Sequence, residues 1–186
     1  TGGLNIFLRS SRPAGISRGV VVIVPGFNSH SGYYLWAAEQ LTGIGVSVYT
    51  LDLRGRGQSD GERFYVETFA DYVSDVAGIV ALAKSHEPGL PVFLLGHSAG
   101  GVVSCLYVLE HPGELSGLIC ESFAYQFQAP DFALAVFKGL CHVAPHAHVL
   151  NLQQQYRQRD PNAAEPRLTH APSPPAPPPP NTTPPT

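Results

Sequence analysis

A chain of 186 residues, 44% hydrophobic and only 13% charged, is long enough for a domain that buries roughly 70% of its unfolded surface. Its low charge suits a sheet covered by helices on both faces. A net charge of −3 gives no electrostatic attraction to nucleic acid or an anionic membrane, and no stretch approaches the roughly 20 apolar residues of a membrane span.

In chain order, Leu4 to Leu8 reads as a first strand. Gly19 to Val24 is a β-branched run typical of a strand buried on both faces, and Pro25-Gly26 ends it. Tyr33 to Leu41 predicts a helix, stopped by Thr42-Gly43 and Gly45. Val46 to Leu51 is the next strand, followed by a glycine- and arginine-rich loop from Asp52 to Gly61. Between Thr68 and His86, the residues Phe69, Tyr72, Val73, Val76, Ile79, Val80 and Ala83 recur at helical spacing, with Thr68 as the expected N-cap. Pro91 to Leu95 is a short strand, and Gly101 to Leu109 a buried helix. His111-Pro112-Gly113 is a stop signal, and Leu115 to Cys120 a further strand. Alternating strands and helices predict a mostly parallel α/β sheet with right-handed crossovers.

Beyond Glu121 the pattern changes. Phe132 to Leu140 reads as a helix, but no apolar period follows Gln153. Nine of the last sixteen residues are proline, which permits neither helix nor central strand. The expected organisation is a partial α/β core over residues 1–125, the start of a cap over 126–152 and a disordered proline-rich tail over 153–186. The change near residues 151–170, and a chain that opens at Thr1 without any methionine, lead to the expectation of a gene fragment or a shifted reading frame. Cys105, Cys120 and Cys141 show no C-x-x-C spacing and read as reduced thiols of a cytoplasmic protein.

Gly96-His97-Ser98-Ala99-Gly100 lies between a predicted strand and a predicted helix. That context turns a common G-x-S-x-G into a nucleophile elbow, with the serine on a strained turn above the sheet. Two further blocks precede it: Pro25-Gly26-Phe27-Asn28-Ser29-His30-Ser31-Gly32-Tyr33-Tyr34, and Asp52-Leu53-Arg54-Gly55-Arg56-Gly57-Gln58-Ser59-Asp60-Gly61. Together, over roughly residues 4–150, they resemble the α/β-hydrolase superfamily, in its monoacylglycerol lipase and lysophospholipase (serine aminopeptidase S33-type) branch. Pro25 stands where the lipases of this branch carry a histidine, and Arg56 where they often carry a second.

The resemblance implies a carboxylic ester hydrolase that forms an acyl-enzyme on Ser98 and needs no cofactor or metal. The backbone N–H groups of Phe27 and Ala99 would form the oxyanion hole. The substrate would be a small acyl ester such as a monoacylglycerol or lysophospholipid, with transient lipid-surface contact through the cap. Asp52 precedes the serine, whereas the acid of this fold follows it, so Asp52 reads as a turn-capping residue. His30 reads as a loop-structuring residue and His97 as a packing one.

After Ser98 no strand-end acid followed by a glycine-flanked histidine is visible, so the triad acid and base are not found in the chain. His142, His146 and His148 do not complete a metal set, because Pro145 interrupts their helix and no cysteine or acid joins them. Activity is therefore expected to be impaired. The alternative is a non-catalytic relative that binds an apolar ligand or a partner.

Overall fold

β-Branched residues dominate the centre of the molecule because a strand covered on both faces has no use for alternation. In the computed structural model, which describes residues 3–122 and Gly139, β2 (Val20–Val24) is buried at every position. Its side chains divide between two layers. Val20, Val22 and Val24 join one core cluster with Tyr72, Val76, Val80 and Val103, whereas Val21 and Ile23 join Ala38 and Val48 on the other face.

The described strands are β1 (Leu8–Ser11), β2, β3 (Ser47–Leu51), β4 (Val92–His97) and β5 (Gly117–Glu121). They form a five-stranded sheet in the order β1-β3-β2-β4-β5. β2 pairs in parallel with β3 and β4, and β4 in parallel with β5. Three helices connect them: α1 (Leu35–Gly43), entered through a 3-10 turn at Ser31–Tyr34, α2 (Phe69–His86) and α3 (Ala99–Glu110). The described residues all belong to one compact unit, Thr1–Pro145. The cap and tail segments of the sequence reading lie outside them, Gly139 apart.

Two local expectations shift. The first strand is Leu8–Ser11 rather than Leu4–Leu8, and it pairs antiparallel with β3. Residues 5–7 are held instead by the loop after β3. The Asn5 N–H donates to Asp60 Oδ2 at 2.9 Å, the Phe7 N–H to Ser59 Oγ at 2.8 Å, and the Asp52 N–H to the Phe7 carbonyl at 2.9 Å. The α1 region begins as a 3-10 turn because His30 occupies the cap position and its Nδ1 accepts the Gly32 N–H at 3.1 Å.

α2 starts where its sequence says it should. The Asp71 carboxylate, at the third helical position, accepts both the Thr68 N–H (3.1 Å) and the Thr68 hydroxyl (2.9 Å), which satisfies an orphan group of the first turn.

The glycines of α2 and α3 make opposite predictions. A Cβ on Gly100 would overlap the carbonyl oxygens of Val24 and Pro25, whereas one on exposed Gly78 would meet nothing within 4 Å. Gly100→Ala is expected to lower unfolding free energy by about 3 kcal/mol through overpacking against backbone. Gly78→Ala should raise it by about 1 kcal/mol through helix propensity. Urea titrations of both variants test this, and equal effects would refute the close approach of α3 to the end of β2.

Candidate active site

Ser98 sits between β4 and α3 at φ 51°, ψ −120°, a backbone conformation that a side-chain-bearing residue holds at a cost of about 1–3 kcal/mol. The surrounding glycines explain how it is held. A Cβ on Gly96 would lie 2.6 Å from Gly101 Cα and from Ser104 Oγ, so only a bare backbone lets strand and helix approach this closely. The Ser98 N–H donates to the Glu121 carbonyl at 2.9 Å, and its own carbonyl accepts the Gly101 N–H at 2.9 Å. Ala99 opens α3, so its N–H belongs to the first turn, whose donors have no intrahelical acceptor.

The loop after β2 meets this turn. A Cβ on Gly26 would lie 3.2 Å from Ser98 Cβ and 3.2 Å from His97 Nδ1, which brings the Gly26-Phe27 segment beside Ser98. The three sequence blocks, far apart along the chain, thus converge at the C-terminal ends of β2, β3 and β4.

Buried polar groups fasten the loops. Asp52 is 1% exposed. Its Oδ1 accepts the Ser31 N–H at 2.6 Å and its Oδ2 the Gln58 N–H at 2.8 Å, so one carboxylate clamps the Ser31 and Gln58 loops together. Gly57, at φ 47°, leaves room for it, since a Cβ there would overlap Asp52 Oδ2. Asp52 therefore does more than cap its own turn.

Arg56 is 4% exposed. Its Nε donates to the Phe27 carbonyl at 2.7 Å, and its guanidinium carbon lies 4.5 Å and 4.6 Å from the Phe27 and Phe64 ring centroids. Desolvation lowers the Arg56 pKa from its ordinary value, yet an arginine remains charged in proteins. Two ring faces, attractive to a desolvated cation by up to about 2 kcal/mol, and the carbonyls of Phe27 and Gly55 receive that charge. A second arginine ties the same loop to α2. Arg54 binds Asp75 through Nε (2.8 Å) and Nη2 (2.7 Å), and Asp71 through Nη1 (2.6 Å).

His97 bridges two groups the sequence reading did not single out. Its Nδ1 lies 3.0 Å from the Tyr34 hydroxyl and its Nε2 3.2 Å from Glu121 Oε2. Burial raises the Tyr34 pKa from its ordinary value. Such a contact joins residues 63 positions apart and leaves no local pattern; the Asp71/Asp75 spacing of four on α2 was the one signal that could have flagged a receptor for Arg54. The four histidines among the described residues are all engaged elsewhere than at the Ser98 hydroxyl. His30 caps the 3-10 turn, His86 packs on Tyr49, His97 contacts Tyr34 and Glu121, and His111 stacks on Tyr107 beside Glu114. Glu110 and Glu114 lie at or beyond the far end of α3 from Ser98. Among the described residues no set of three or more His, Cys, Asp or Glu could hold a metal. His142, His146, His148 and His170 lie outside them.

A serine at a strained strand-to-helix turn over a mostly parallel sheet defines the α/β-hydrolase class. Within it, the chain belongs to the family described as "Serine aminopeptidase, S33", which it matches over residues 15–171. It is 34% identical over 176 residues to a monoacylglycerol lipase of Mycolicibacterium smegmatis, covering 91% of this chain and 63% of that protein. To the human monoglyceride lipase it is 39% identical over 147 residues, covering 77% of this chain and 48% of that protein. The structure resembles that of a monoacylglycerol lipase of Paleococcus ferrophilus (TM-score 0.62, 30% identity, 76% of this chain and 53% of that one). It also shares the fold of a carboxyl esterase of Bacillus coagulans (TM-score 0.70, 24% identity, 89% of this chain and 56% of that one). The chain thus spans about half to two thirds of the length of these relatives.

Removing the Arg54 guanidinium takes the counter-charge from Asp75, whose side chain is fully buried. Arg54→Ala is expected to cost about 3 kcal/mol in a denaturant titration; a change below about 1 kcal/mol would contradict the clamp. Asp71 titrates below its ordinary range, chiefly because of the Thr68 hydroxyl, with Arg54 contributing. A carboxyl with a depressed folded-state pKa stabilises above its unfolded value of about 3.9 and loses that contribution as pH falls through the folded value. Asp71→Asn should accordingly flatten the acid limb of the stability–pH curve below about pH 4 without changing its slope near neutrality.

Proposed function

We propose that the chain is a carboxylic ester hydrolase of the monoacylglycerol lipase and lysophospholipase type, with Ser98 as nucleophile and the Phe27 and Ala99 N–H groups as oxyanion hole. The observation that carries this reading is the positive-φ turn at Ser98 with the Gly26-Phe27 loop against it. Ser98 Oγ would attack the ester carbonyl, and the oxygen that becomes negative would accept the two N–H bonds, a contribution of about 3 kcal/mol per donor. Collapse would expel the alcohol and leave an acyl-serine, which water then hydrolyses. The named monoacylglycerol lipases support an ester of glycerol as the substrate class; a lysophospholipid substrate and transient lipid contact through the cap segment 126–152 extend that reading from the family resemblance. The free thiols Cys105 and Cys120 suit a cytoplasmic setting.

The proton of Ser98 needs a base, and no histidine among the described residues bonds it. Turnover by this chain is expected to be impaired because its sequence shows no strand-end acid followed by a glycine-flanked histidine after Ser98. A hydrolase lacking its base loses about 10⁶ in turnover and retains about 10³–10⁴ over water from oxyanion hole and binding. Should Ser98 be unreactive, the second reading is a non-catalytic relative that binds an apolar ligand or a partner and is indifferent to Ser98→Ala.

The test is a fluorophosphonate probe on the purified chain, alongside hydrolysis of a monoacylglycerol. Slow labelling that Ser98→Ala abolishes, with hydrolysis about 10³–10⁴ above background, is the expected result. Labelling that survives Ser98→Ala, or none at all, would overturn the nucleophile assignment.

A further inference from the structure

Cys105 projects from α3 and Cys120 from β5, the strand next to β4. Their sulfurs lie 3.8 Å apart, at van der Waals contact, and both thiols are free. Cys120 is exposed and Cys105 half-buried, so a small oxidant reaches the pair from one side. Both cysteines belong to elements that hold the turn at Ser98. Cys120 pairs in register with Gly96, and the next residue, Glu121, accepts the Ser98 N–H through its carbonyl.

We propose that Cys105 and Cys120 form a dithiol–disulfide site that closes when challenged by a low-molecular-weight disulfide, cross-linking the helix that follows Ser98 to the strand beside it. The chemistry is thiol–disulfide exchange. One cysteine thiolate attacks a sulfur of glutathione disulfide, forming a mixed disulfide and expelling a glutathione thiolate, which takes up a proton. The second cysteine, already in contact, loses its proton and attacks the protein sulfur of that mixed disulfide. The Cys105–Cys120 bond forms and a second glutathione leaves. In net terms two protein thiols are oxidised, one glutathione disulfide is reduced to two glutathiones, and the two thiol protons end on the glutathiones. Closure draws the sulfurs from 3.8 Å to about 2.05 Å. Partial desolvation and the neighbouring Cys105 raise the Cys120 thiol above its ordinary pKa, so its thiolate is scarce near neutrality and the exchange speeds up as pH rises.

The experiment takes the full reduced chain, incubates it with glutathione disulfide at mildly alkaline pH, and reads intact mass and a non-reducing peptide map. The expected product has lost two hydrogens, retains no glutathione and links the peptides of Cys105 and Cys120. Dithiothreitol should reverse it, and Cys141→Ser should form the same link. Cys120→Ser, a substitution at an exposed site, should abolish the link and leave glutathione on Cys105. A stable mixed disulfide on Cys120 with Cys105 present, a link through Cys141, or no oxidation of either thiol would overturn the proposal.

Discussion

The close approach of backbone to backbone at the start of α3 governs the rest of the site. Gly100 sits where the carbonyls of Val24 and Pro25 leave no room for a methyl group, and Gly96 sits against Gly101 and Ser104. Helix and strand can meet this tightly only if the residue between them turns sharply, and Ser98 does so at φ 51°. Its strain is balanced by burial around it. Val103 and Tyr107 of α3 are almost fully buried in the core that β2 and α2 also line. The turn is thus carried by the sheet rather than by its own sequence preferences.

Around that turn, charge is used as a fastener. Asp52, Arg54 and Arg56 come from one loop, yet each reaches a different part of the molecule: the Ser31 turn, the first turns of α2, and the Phe27 carbonyl. Each is at least largely buried, where an unpaired charge would cost several kcal/mol. Each is therefore held by hydrogen bonds, an opposite charge or an aromatic face. The consequence for function is that the Gly26-Phe27 backbone, the proposed oxyanion donor, is held from the loop side by Arg56 and from the elbow side by contact with Ser98. The Arg56 guanidinium also lies over the faces of both Phe27 and Phe64, whose tilted rings contact each other at 6.0 Å between centroids, so two aromatic faces receive one desolvated charge.

The parts of the fold legible beforehand were those whose cause is local. Val20–Val24 reads as a strand buried on both faces because every residue is apolar and β-branched, and α2 reads as a helix because its apolar positions recur at helical spacing behind a Thr68 cap. The first strand was misplaced because its limits depend on bonds that join Asn5 and Phe7 to Asp52, Ser59 and Asp60, far along the chain. Within the site, the serine and the loops that meet it were visible as motifs. The partners of His97, the stacking of Arg56 and the meeting of Cys105 with Cys120 were not, since each joins residues whose neighbourhood only the folded chain creates.

The sequence by itself determined the α/β alternation, the glycine-flanked serine and the family to which the chain belongs, because strand pattern, turn chemistry and motif spacing are all written within short windows. Tertiary structure alone decided the antiparallel edge at β1, the clamp at Asp52 and the contacts of His97 and Cys105. Those depend on which side chains the sheet order brings within about 3–4 Å, the range over which hydrogen bonds and van der Waals contacts act, and no window of sequence encodes that distance.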